Sequence, residues 1–168
     1  MNTYEQQILN KLNELGIAYR IIEHEPMFSM GQYESIQKEY NVTIPKNLFL
    51  CNHQKTLFCL LAMPGDKKFK TNQLAKQINS ARLSFASEED LDGDLHCFKG
   101  CTNVFSLLFD TANKILLAID EDLLEKEYLG FHPCNNCKTV IVSTIDLINK
   151  FLPSINRKEF SKVHLVGE

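Results

Sequence analysis

Long apolar runs are missing from this 168-residue chain. That excludes a membrane-spanning helix, which takes about 20 apolar residues in succession. Missing too is a basic amino-terminal stretch followed by an apolar one, so Met1-Asn2-Thr3-Tyr4-Glu5-Gln6-Gln7 carries no secretory signature and the chain reads as cytoplasmic. There is no excess of positive charge. With 18 basic and 21 acidic side chains the net charge is −3, which excludes a general DNA-coating protein. Glycine and proline are sparse, at seven and five residues, and no repeat occurs, so collagen-like and disordered architectures fall away. A glycine-rich phosphate loop, a nucleophile elbow and a paired-histidine metal motif are all absent.

What is present fits one domain over residues 1–168, long enough to bury a core without disulfides or metal. Of six cysteines, Cys51 and Cys59 sit in apolar runs and read as small buried hydrophobes. Cys97-x3-Cys101 and Cys134-x2-Cys137, flanked by His96 and His132, have a spacing that zinc could use. The wider first pair and its acidic flank favour reduced thiols over that reading, so no metal and no cofactor are expected.

Helix punctuation is clear at the start. Thr3 and Gln6 match a capping box, Ile8, Leu12 and Leu15 recur at helical spacing, and Gly16 stops the run. Ile17–Glu23 reads as a strand with Ile17, Tyr19 and Ile21 on one face, and Ser29 with Gln32 caps a helix towards Tyr40. Two nearly continuous apolar arms, 47–51 and 56–62, flank the polar turn Asn52-His53-Gln54-Lys55 and predict a hairpin buried on both faces. A short helix over 71–78, a strand over 82–85 and a helix capped by Ser87 and Asp90 follow. Residues 104–109 and 115–119 read as a second strand pair, 139–143 as a late strand, and 145–152 as a helix stopped by Pro153. The irregular alternation predicts a mixed-sheet α/β (α+β) domain.

Three places can carry chemistry. Lys46, between Pro45 and the hairpin, can present its ammonium at a cleft edge to a phosphate or a developing oxyanion. The loop Gly130-Phe131-His132-Pro133-Cys134-Asn135-Asn136 can gather backbone N–H groups, an imidazole and an amide. Lys67, Lys68, Lys70, Lys76 and Arg82 form a basic stretch, followed at once by the acids of 88–94. Each also has a plainer reading: a solvated lysine, a connecting turn, a solvated face.

Pro45-Lys46-Asn47-Leu48-Phe49-Leu50, Met63-Pro64-Gly65-Asp66, Ala81-Arg82-Leu83-Ser84-Phe85-Ala86 and Gly130-Phe131-His132-Pro133-x-x-Asn136 occur in order. Together they resemble the YbaK/prolyl-tRNA synthetase-associated domain family, in particular its free-standing prolyl-tRNA editing proteins. The resemblance implies a mixed, barrel-like sheet surrounded by helices. It also implies a deacylase acting on the acceptor end of tRNA(Pro) that carries a wrong amino acid, with prolyl-tRNA synthetase as a further partner and with neither membrane nor DNA. Lys46, Gly130 and His132 fall at its catalytic positions. Asn47, His24, Ser106, Phe131, Pro133 and Asn136 line the implied pocket, and Lys67, Lys68, Lys70 and Arg82 are placed to meet tRNA. The Lys46-Asn47 pair and the Met-Pro-Gly-Asp turn resemble the branch that clears Ala-tRNA(Pro) more than the one that clears Cys-tRNA(Pro). Ser106 and Phe109 depart from the family pattern, which bears on pocket shape and keeps a non-catalytic tRNA- or ligand-binding domain as the rival.

Overall fold

The computed structural model describes residues 3–27, 29–87, 89 and 101–167. Helix α1 (Thr3–Glu14) buries Ile8, Leu9 and Leu12 along one stripe. It ends in a paired stop: Gly16 takes φ +69°, its N–H bonds to the Asn13 carbonyl, and the Ile17 N–H bonds to the Leu12 carbonyl. Thr3 is already helical, so it is not the cap that the spacing predicts. Strand β1 (Tyr19–Glu23) turns Ile22 inward and leaves Ile21 exposed, while Ile17, just before it, is buried and Tyr19 packs on the first core. At the next turn the Gln32 side chain accepts from the Ser29 N–H, as a reciprocal cap would, and leads into α2 (Tyr33–Tyr40).

The predicted hairpin is β2 (Lys46–Asn52) paired antiparallel with β3 (Phe58–Met63). Its turn is tied by Asn52, whose side-chain oxygen accepts from the N–H groups of Thr56 and Leu57. A sheet of five strands builds around it in the order β4 (Leu83–Phe85), β2, β3, β5 (Ile115–Asp120) and β8 (Ser161–Val163). β3 is central, with Leu60 and Ala62 in one core and Cys59, Leu61 and Met63 in another. The first core packs under α1. The second is covered by α3 (Thr71–Gln77) through Leu74 and Ala75. A three-stranded sheet sets β7 (Lys138–Ser143) between β1 and β6 (Tyr128–Phe131). One parallel bridge, Thr43 to Leu129, joins this sheet to the segment that enters β2.

The mixed α/β class is as expected, whereas the described strands form two sheets and no closed barrel. Residues 104–109 are not a strand. Asn103 accepts from the Phe105 N–H and exchanges a second bond with Ser106, so Val104–Phe109 winds as a 3-10 helix, and β5 pairs instead with β3 in parallel. After α4 (Glu121–Leu124), β6 forms where the local pattern predicts a loop, because it is the pairing with β7 that makes it a strand. The last helix, α5, comprises Thr144–Asp146, the π-helical Leu147–Phe151 and Leu152–Ser154. Pro153 therefore does not stop it at once: the proline stands in the first positions of the final segment, and the helix ends one residue later at Ser154. Asp90 and the residues of the expected helix beyond it, together with His96 and Cys97, lie outside the described residues. Among the described residues no helix is long and apolar enough to cross a membrane.

Candidate active site

Register fixes the first part of the site. Lys46 pairs with Met63 at the end of the hairpin, and the chain then turns at once, with the Lys67 N–H bonded to the Pro64 carbonyl. The turn brings the Lys67 carbonyl to within 2.6 Å of Lys46 Nζ. One of three ammonium donors is thereby used, and two remain for an anion among the described contacts. Burial pulls the Lys46 pKa below its ordinary value, and nearby Asp66 opposes that by favouring the charged form. Strand alternation sends Asn47 to the opposite face of β2. Its Nδ2 donates to the Pro45 carbonyl at 3.2 Å, while its Oδ1 is buried with no donor. A buried acceptor without a partner costs about 1–3 kcal/mol, so a donor from a bound molecule would be well received there.

The second part sits on β6 and the residues after it. Gly130 lies where its neighbours leave no room for a side chain: a Cβ would meet Thr139 Cγ2 at 2.9 Å, and Val42 and Ile44 at 3.4 Å. Its N–H donates to the Thr43 carbonyl, so among the backbone N–H groups expected to gather at this loop the amide of Gly130 itself is already taken. His132 is nearly buried, with Nδ1 2.7 Å from the Lys138 carbonyl and Nε2 2.7 Å from the Tyr33 hydroxyl. A carbonyl only accepts, so Nδ1 carries the proton and Nε2 accepts from Tyr33. Burial lowers the His132 pKa, the Lys138 carbonyl opposes this, and His24 adds to the lowering. Burial likewise pushes the Tyr33 hydroxyl up to about 12. His24 stands 5.7 Å from His132, ring to ring, with its Nε2 2.8 Å from Thr139 Oγ1 and its Nδ1 on the Glu25 carbonyl.

Asn103, which the sequence does not single out, donates to the His132 carbonyl at 2.7 Å and so ties the histidine loop to the Ser106 cap. A polar residue before an apolar run is the signal that could find it. Ser106 is fully buried in that cap. Phe131 packs edge-on to Phe105 in the first core, and Pro133 is buried beside it in sequence. Asn136 is half-buried and accepts weakly from Cys137 Sγ. Phe109, the other departure, packs on Tyr4 of α1 at 5.2 Å. Lys46 and His132 make no direct bond with each other, yet each lies three residues beyond the Thr43–Leu129 bridge, which aligns the two approaches.

Lys68, Lys70 and Arg82 are exposed, as the tRNA-facing reading requires. Lys67 differs: its ammonium is held at 2.8 Å by Asp120, Asp122 and the Leu165 carbonyl. Cys51, Cys59, Cys101 and Cys137 are free thiols, but Cys134 is disulfide-bonded, which corrects the expectation that all the thiols are reduced. Among the described residues no group of three or more His, Cys, Asp or Glu could hold a metal ion.

Comparison with known proteins places this chain in a family. The profile of the aminoacyl-tRNA editing domain matches residues 24–150. The prolyl-tRNA editing protein ProX of Acetoanaerobium sticklandii is 34% identical over 143 residues, covering 85% of this chain and 87% of that one. The prolyl-tRNA synthetase associated domain-containing protein 1 of Mus musculus is 27% identical, covering 84% and 86%. A solved structure described as a candidate trans-editing enzyme for prolyl tRNA synthetase superposes with a TM-score of 0.70 over 99% of both chains, at 12% identity, and so shares the fold. The Lys46 turn and the histidine loop both fall inside the matched span, and the chain belongs to the aminoacyl-tRNA editing domain family.

Proposed function

We propose that this chain is a trans-acting deacylase that hydrolyses mischarged tRNA(Pro), removing alanine from the acceptor end. The observation that carries the reading is the head of β2 within an editing-family chain. There a partly desolvated Lys46 ammonium with spare donors adjoins the buried, unpartnered Asn47 Oδ1. Alternation gives the two residues different tasks. Lys46 faces the side where the exposed Lys68 and Lys70 follow its turn, and it holds the negative charge of the terminal aminoacyl-adenosine. Asn47 faces the side of the first core that Phe131 and Cys134 share, and its Oδ1 receives an N–H or O–H donor of the aminoacyl group.

An aminoacyl ester has a good leaving group, so orientation, water and charge stabilisation suffice. His132 has both ring nitrogens engaged and acts by shaping the site rather than by taking a proton from water. The substrate's own ribose 2′-hydroxyl activates the attacking water. Alanine is favoured because the Lys46-Asn47 pair and the Met63-Pro64-Gly65-Asp66 turn resemble the alanine-clearing branch. A pocket sized for a methyl group rejects the cognate proline ring by exclusion. Phe109, one of the two departures that favour a non-catalytic domain, packs on Tyr4 of α1, and this supports the catalytic reading.

Deacylation of tRNA(Pro) charged with alanine, cysteine, serine or proline tests the reading. The expected result is hydrolysis of the alanyl ester, sparing of the prolyl ester, and at least about a hundredfold loss of kcat/KM in Lys46→Ala with an unchanged circular dichroism spectrum. Faster hydrolysis of the cysteinyl ester would reassign the amino acid. Hydrolysis of none, or full activity in Lys46→Ala, would overturn the proposal.

A further inference from the structure

Lys67 belongs to the tRNA-facing lysines by its position in a basic run, but its surroundings are those of an anchor. Its Nζ meets Asp120 Oδ2, Asp122 Oδ2 and the Leu165 carbonyl, each at 2.8 Å. Asp120 is fully buried at the end of β5, and its other oxygen caps α4 by accepting from the Asp122 N–H. The segment Ser161–Gly167 closes the remaining side. β8 pairs with β5 through Asp120 and Val163. Gln73 and Gln77 of α3 then clamp the backbone of Val166 and His164, each with one accepted and one donated bond. Gly167 lies flush on the lysine stem: a Cβ there would come to 2.9 Å from Lys67 Cγ and 3.1 Å from its Cα. The side chain of Lys67 is therefore held by Asp120 of β5, by Asp122 and by the segment that follows β8, which α3 clamps in turn, while its main-chain N–H bonds to the Pro64 carbonyl and its own carbonyl accepts from Lys46 Nζ at 2.6 Å.

We infer that Lys67 is a positioning residue: its side chain, locked by Asp120, Asp122 and Leu165, holds its own carbonyl where that carbonyl aims the Lys46 ammonium at the substrate. This rests on the proposed role of Lys46 and removes Lys67 from the tRNA-contacting set. The two roles predict opposite outcomes at Asp120. If Lys67 met a phosphate, removing a competing carboxylate would leave binding intact or strengthen it. If Lys67 positions Lys46, the same change loosens the carbonyl and activity falls.

The experiment compares wild type with Lys67→Met, Lys67→Arg, Asp120→Asn and Asp122→Ala. Asparagine preserves the α4 cap, and Asp122 is the exposed partner, so these two changes avoid emptying the buried site. One readout needs no tRNA: the rate at which the Lys46 amine is acylated by limiting acetic anhydride, read by peptide mass spectrometry. Lys46 should label several-fold faster in Lys67→Met and Asp120→Asn, less so in Asp122→Ala, and near the wild-type rate in Lys67→Arg, whose guanidinium can keep both carboxylates. The second readout is deacylation. kcat should fall about tenfold or more in Lys67→Met and Asp120→Asn, with the salt dependence of KM unchanged. Unaltered Lys46 labelling in both variants, or a flatter salt dependence in Lys67→Met with an active Asp120→Asn, would overturn the inference. If wild type hydrolyses no ester, the functional proposal fails, while the labelling still decides whether Lys67 controls Lys46.

Discussion

His132 and Lys46 differ in the hydrogen-bonding capacity each keeps in reserve. Both imidazole nitrogens are taken, Nδ1–H by the Lys138 carbonyl and Nε2 by the Tyr33 hydroxyl, whereas Lys46 gives one of three donors to Lys67. A ring so enclosed resists protonation, since the added proton at Nε2 would displace the Tyr33 donor and the charge would be buried. The sign for stability follows. His132 has a folded pKa below its unfolded value of about 6.5, so its contribution is complete above that pH and is lost as pH falls through the folded value. Below about pH 6.5 the unfolded chain binds a proton that the folded chain refuses, and this one group steepens the decline by up to about 1.4 kcal/mol per pH unit. Urea titrations of wild type and His132→Asn between pH 5 and 8 should show that slope shrinking in the variant. Equal slopes would mean that the ring already accepts a proton in the fold.

At the scale of elements, the turn after β3 and the edge strand β4 form a single face with Lys46. Leu50 opposes Phe85 in register, and alternation places Lys46, Leu48, Leu50 and Phe85 on the same side, with Lys46 four residues or about 13 Å from Leu50. Phe85 is 61% exposed, unusual for an aromatic ring, and it meets Phe69 edge-on at 6.2 Å, a residue that stands between Lys68 and Lys70 in sequence. Cations beside an open aromatic face suit the single-stranded end of an acceptor stem. Phe85→Ala should raise KM about five- to hundredfold while sparing kcat, and Phe85→Trp should restore it. Lys68→Glu with Lys70→Glu should raise KM and flatten its salt dependence, by somewhat under one unit of slope for each phosphate left without its lysine. An unchanged KM in the phenylalanine variant would remove the ring from the binding face. Local pattern makes much of this legible: Gly16 ends α1 through main-chain bonds, and the Asn52 side chain ties the hairpin turn, each with partners a few residues away. What stays hidden depends on distant partners. β6 exists because β7 and the Thr43 bridge lie beside it, and the apolar residues 104–109 wind into a 3-10 helix because Asn103 caps them and grips the His132 carbonyl. The importance of Lys46 and the histidine loop can be read from the chain. That Lys67 is an anchor cannot, because Asp120, Asp122 and Leu165 lie 53 to 98 residues away.

Across the whole molecule, the proposed chemistry and the principal buried ion pair occupy opposite ends of the five-stranded sheet. Lys46 pairs with Met63 at one end, whereas Ile115 pairs with Phe58 at the other, and Phe58 pairs in turn with Cys51. At that far end Asp110 accepts from the N–H groups of Lys114 and Ile115 and from Arg157 Nη2, with both charged side chains almost wholly buried. The pair joins the turn before β5 to the segment that follows α5, so it closes a loop of 47 residues. Asymmetry between the partners makes the consequence testable. Asp110→Ala strands a buried guanidinium and two amides, which should cost about 3–5 kcal/mol, a large part of an ordinary domain's stability. Arg157→Met should cost less, because Asp110 keeps its two backbone donors and an apolar side chain can fill the volume of the guanidinium. Neither change touches Lys46, so thermal midpoints should drop while kcat per folded molecule stays at the wild-type value in assays run well below the midpoint. A loss of kcat at an unchanged midpoint would show that the far end of the sheet governs the site, and the separation of stability from chemistry along β2 and β3 would have to be abandoned.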